Sequence, residues 1–119
     1  MEIKKFTVGD KEYEFVNEYR NTRHGFAHDT TLFINNVEKV KHTCNYSNRT
    51  WECYRFQTVM CGAVRELIDN RRKYLENKFK EENGYTKLTD KRRLALEDIF
   101  DNDKFLVEYE KVLINLRNY

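Results

Sequence analysis

Arginines and aromatic side chains recur together in this chain. Arg20, Arg23 and His24 form one group, Arg49 and Arg55 stand around Trp51 and Tyr54, and Lys87, Lys91, Arg92 and Arg93 follow Phe79 and Tyr85. A guanidinium bonds phosphate in bidentate fashion, an aromatic face stacks on a base, and a helix start adds free N–H groups and a favourable dipole. The combination suits a nucleotide ligand or a single strand. Against it, Arg71-Arg72-Lys73 and the run Lys78 to Glu82 read as a solvated helix face with Glu–Lys pairs of opposite sign, and a lone Trp is most often core. On residue types alone the balance tips toward a nucleotide-type ligand without identifying it.

Other chemistry has less support. The chain contains no Gly-rich phosphate loop, no GxSxG and no HExxH. Cys44 or Cys53 beside His42, His24 or His28 supplies the types for a nucleophile and base, but no oxyanion-hole motif accompanies them, so no catalytic residue is expected. His24, His28, His42 and Cys44 have metal-ligand chemistry, yet their spacing is loose. Alternation places His42 and Cys44 on one strand face with Val40 and Tyr46, where packed or hydrogen-bonded histidines are the better reading, so no metal or cofactor is expected.

The elements that must position these groups follow from the hydropathy pattern. At 119 residues, 39% hydrophobic and 35% charged, the chain has the size and composition of one globular domain, 1–119. With 22 Lys and Arg against 20 Asp and Glu, net charge does not favour duplex nucleic acid. No apolar run is long enough to span a bilayer or to read as a leader. Three cysteines, an odd number without a CxxC, suggest reduced buried thiols, and the sequons at Asn45 and Asn48 read as accidental.

Period-two alternation runs from Ile3 to Tyr46, with turns at Gly9-Asp10 and Asn35-Asn36 and a longer connection from Asn21 to Asp29. This predicts a four-stranded antiparallel meander over about 2–46. The period then lengthens through Cys53, Phe56, Met60, Val64, Leu67, Ile68, Leu75 and Phe79, predicting a long helix over about 51–82 that stops at Asn83-Gly84. Thr89 can cap a following segment, broken at Asp101-Asn102-Asp103, so one or two helices occupy about 89–118. The expected fold is α+β, with the helices on one face of the sheet.

Two short motifs carry a resemblance. Asn48-Arg49-Thr50-Trp51-Glu52 followed by Tyr54, Phe56 and Gln57, and preceded by Asn21-x-Arg23-x-Gly25-Phe26-x-His28, resembles small phage proteins of low-GC Gram-positive bacteria, and among them the first-type Thoeris anti-defence proteins. The resemblance implies a non-enzymatic protein in the cytoplasm of the infected bacterial host. It would bind and sequester, without cleaving, a cyclic ADP-ribose-type signal made by a TIR-domain enzyme. It also implies a homo-oligomer, a dimer or a dimer-based hexamer, with pockets between subunits, and in some members a second site for cyclic trinucleotides. Residue type and position then mark Arg23, His28, Asn48, Arg49, Trp51, Phe79, Asn83, Tyr85, Thr89 and Arg92 for the ligand. Arg23 and Arg49 are expected on phosphates, Phe79 or Tyr85 against the adenine, and Asn83 or Thr89 on polar edges.

A rival reading from a different class is a phage inhibitor that grips a host defence protein directly, using a sheet edge or the acidic run from Glu97 to Asp103. A nucleic-acid-binding accessory is a third, disfavoured by the near-neutral charge.

Overall fold

The computed structural model describes residues 1–47 and 56–118. Strands β1 (Glu2–Val8), β2 (Lys11–Thr22), β3 (Gly25–Ile34) and β4 (Val37–Ser47) form one antiparallel sheet in the order β1-β2-β3-β4. The turn residues explain the tight joints. Gly9 has φ +63°, and Asn35 and Asn36 have φ +49° and +66°, the left-handed pair that a two-residue hairpin of this twist requires. Asn35 reinforces its turn by accepting from the Glu12 backbone N–H at Oδ1, 2.9 Å.

The expected longer connection from Asn21 to Asp29 is corrected here to a continuous hairpin. Thr22 pairs with Gly25 and Tyr19 with His28, so Arg23 and His24 alone make the turn. The alternation persists through this end of the sheet, but its inward positions are the polar Asn17, His28 and Thr30, which disguise a strand as a loop.

Three helices follow: α1 (Phe56–Asn83), α2 (Asp90–Asn102) and α3 (Lys104–Arg117). The expected start of the first helix near residue 51 lies outside the described residues. Its end is a left-handed cap, with Gly84 at φ +67°, Tyr85 N donating to Lys80 O at 2.8 Å and Gly84 N to Glu81 O at 3.4 Å. The C-terminal segment is two helices, because Asp103 has an extended backbone (φ −75°, ψ 122°) and its side chain accepts from Leu106 N. That carboxylate caps α3 at the residue where α2 stops.

The sheet's inward face and the stripes of α1 and α3 share one core. Tyr13, Phe15, Leu32 and Val40 meet Met60, Val64, Leu67 and Ile68 of α1 and Leu106, Tyr109, Val112 and Leu116 of α3. Each fully buried aliphatic or aromatic side chain contributes about 1.5–3 kcal/mol. Gln57 Nε2 donates to Leu116 O at 2.6 Å and Arg117 O at 3.1 Å, tying the start of α1 to the end of α3. Helix α2 rests on both neighbours and buries Leu96 alone. No helix among the described residues is long and apolar enough to cross a membrane.

Candidate functional site

The left-handed cap of α1 and the Thr89 cap of α2 fold the intervening segment into a tight corner, and five of the expected ligand residues meet there. The Phe79 and Tyr85 rings contact edge to face with centroids 5.6 Å apart, and the Arg92 guanidinium lies 3.7 Å from the centroid of the Tyr85 ring. Arg92 Nη1 donates to Lys87 O at 3.0 Å, which fixes the guanidinium and leaves its other N–H groups for an acceptor. Asn83 Nδ2 donates to Phe79 O, and Thr89 Oγ1 accepts from Arg92 N. Asn83 and Thr89 therefore serve the backbone with these atoms before they serve any ligand.

Beside the corner, α1 and α2 enclose a cleft of about 340 Å³. Leu88, Leu96 and Phe100 are its apolar lining, and its charged lining is Arg72, Lys73 and Arg93 with Asp69, Glu76 and Glu97. Its volume falls within the range of small-ligand sites. Lys73 is not expected at a ligand from sequence, and Arg93 reads there only as part of the basic group at the start of the second helix, not beside Lys73. Their approach depends on how α2 folds back across α1, and no local pattern reports that.

The cleft lining balances three cations against three carboxylates, while the segment that supplies its cations is rich in Lys and Arg. Residues 71–93 hold nine Lys and Arg against four Asp and Glu, whereas 94–117 hold three against six. In the run read as a solvated helix face, Arg72 and Lys73 are exposed as expected, and Arg71 is the correction. Arg71 donates to both carboxylate oxygens of Asp103, at 2.8 and 3.1 Å, and sits 4.7 Å from the Phe105 centroid, while Arg72 lies over Phe100. Asp103 holds the Arg71 pKa above its ordinary value and is itself held below the usual carboxylate range by that pairing. The expected solvated pairs do appear further on, Lys78 with Glu82 and Lys80 with Glu76.

Arg23 and His28 stand elsewhere. Arg23 is exposed in the β2–β3 turn, and His28 is 4% exposed on the sheet's inward face. Asn17 Nδ2 donates to His28 Nδ1 at 3.2 Å, and Thr30 Oγ1 donates to Asn17 Oδ1 at 3.0 Å. The Tyr19 and Phe26 rings flank the imidazole at 5.3 and 5.5 Å. Burial pushes the His28 pKa down. One row along the sheet, His42 Nδ1 meets Glu66 Oε2 at 2.9 Å on α1. Phe79 follows Glu66 by thirteen residues, about 20 Å along the helix axis, so Arg23 and His28 do not join the corner within one chain. Arg20, expected beside a loop, is a strand residue paired with Asp29 at 2.8 Å.

Asn48, Arg49 and Trp51 lie outside the described residues, as does Cys53. Of the other thiols, Cys61 is buried, with its pKa pushed up by that burial, and Cys44 is the β4 residue in register with His28. Among the described residues no group of three or more His, Cys, Asp or Glu side chains converges on a possible metal position. The sequence matches no known protein-family model and no curated protein, and no solved structure matches the fold.

Proposed function

We propose that the protein binds and sequesters, without cleaving, a cyclic ADP-ribose-type second messenger, and thereby blocks a host defence effector during phage infection. The observation that carries the reading is the α1–α2 corner. An aromatic pair and a guanidinium with N–H groups to spare stand beside a cleft lined by both cations and carboxylates. Such a signal carries an adenine, two riboses and a diphosphate. Stacking would use Phe79 or Tyr85, the diphosphate would use Arg92 and Arg93, and the ribose hydroxyls would donate to Glu76 or Glu97. The cleft lining contains no Ser, Cys or His, which suits storage. Its three carboxylates are the groups that would act if the ligand came back cleaved. A subunit interface at the cleft would slow release, as a sponge competing for a scarce signal needs.

The test is depletion and recovery. Purified protein incubated with cyclic ADP-ribose, and separately with its glycocyclic isomers, should remove free signal, and heat denaturation should return it intact by mass spectrometry. Arg92→Ala and Arg93→Ala should each weaken capture at least tenfold without altering the circular-dichroism spectrum. A cleaved product would make the protein an enzyme, and no depletion of any isomer would sink the reading.

A further inference from the structure

Helix α2 carries its charges in the order that its own backbone disfavours. Lys91, Arg92 and Arg93 crowd its first turn, where the macrodipole is positive and Asp90 is the only acid. Glu97, Asp98 and Asp101 lie toward its end, where no basic residue balances them. An isolated helix loses stability from each of these placements. The arrangement becomes favourable beside a helix that runs the opposite way with the same charge order, because each basic start then faces an acidic end and the two dipoles oppose.

The side of α2 turned away from the core is suited to such a partner. Lys91, Leu94, Ala95, Asp98, Ile99 and Asn102 recur at spacings of three and four on one exposed face, with Leu94 70% and Ile99 38% accessible. Leu94 and Ile99 supply apolar contact, and the small Ala95 between them allows close approach. We infer that this face is an isologous interface with a second copy of the chain. The two α2 helices run antiparallel about a two-fold axis near Leu94 and Ala95, which sets Lys91 of each copy opposite the partner's Asp98. A copy of the same helix presents this charge order reversed in this register. One pair of 13-residue helices is a small interface, so association in the micromolar range is expected from it alone. This interface lies on the side of α2 opposite the cleft and does not depend on any ligand.

Charge reversal tests it. Sedimentation equilibrium across a concentration series should show wild-type mass rising from one chain to two, or to an even multiple. Lys91→Glu and Asp98→Lys should each raise the dissociation constant about tenfold or more, because each creates two like-charge contacts across the axis. The double variant Lys91→Glu/Asp98→Lys should restore wild-type association. Both single reversals improve the helix's own charge order, so the loss of association would not stem from α2 unfolding. A wild-type monomer at every concentration, a dimer indifferent to both single reversals, or a double variant that fails to recover would each overturn the inference. None of these results bears on signal depletion, so the two readings fail separately.

Discussion

Gly62 shows how one missing methyl sets the distance between a helix and a sheet. A Cβ built there would stand 2.5 Å from His42 Nε2 and 2.8 Å from Cδ2, and the ring cannot easily yield because Glu66 holds its Nδ1. In a free helix Gly→Ala gains about 1 kcal/mol, whereas overpacking costs about 1–3 kcal/mol. Gly62→Ala should therefore lower stability by roughly 1 kcal/mol in urea unfolding, and in a His42→Ala background the same change should raise it. Equal effects in both backgrounds would remove the steric account.

His28 supplies a pH dependence at the same scale. Its folded pKa lies below the ordinary 6.5, first because of burial. Protonation would also place an Nδ1–H against the Asn17 amide donor. The unfolded chain then takes up the proton more readily than the folded one, so stability is complete above about pH 6.5 and falls as pH drops toward the lower folded value. His28→Gln should flatten the decline between pH 7 and 5, and an unchanged slope would assign it to other groups.

Between elements, Asp103 concentrates several connections. It ends α2, caps α3 through Leu106 N at 3.0 Å, and takes both Arg71 bonds from α1. Asp103→Ala removes a cap worth about 1 kcal/mol and leaves Arg71 without its acid, for a total loss of about 2–3 kcal/mol. Asp103→Asn keeps the cap acceptor and should lose about half as much, as measured by thermal and urea unfolding. Because pairing depresses its pKa, its contribution is present above about pH 4 and disappears as pH falls through the folded value. The carboxylate was legible in the sequence as a break, since Asp-Asn-Asp interrupts an apolar period, but its bond to Arg71 spans 32 positions and leaves no local trace. The same distinction separates the rest. The Gly9, Asn35-Asn36, Gly84 and Thr89 signals act within a few residues, and so did the corner from Phe79 to Arg92. The Asn17–His28–Thr30 network and the cleft cations Lys73 and Arg93 depend on strand register and helix return. A polar inward row also hid the strands around Arg23, because period-two reading rests on hydrophobic contrast.

At the scale of the whole molecule the core and the candidate site are held with different strength. The buried cluster joins β2, β3, β4, α1 and α3, and its fully enclosed members include Tyr13, Phe15, Leu32, Met60 and Leu116. Helix α2 has no member in that cluster: it buries Leu96 outside it and packs the half-buried Phe100 against it. Between its end caps it therefore has few apolar contacts to lose on opening. Native-state hydrogen exchange should show amides of β2, β3 and central α1 exchanging only by global unfolding, with those of residues 93–101 opening at lower free energy. A ligand held between α1 and α2, or a second copy on the outer face of α2, should slow exchange in that segment while leaving the sheet unchanged. Slow exchange throughout α2 in dilute, ligand-free protein would instead mean that the cleft is a rigid part of the core, and capture would then need no ordering of α2.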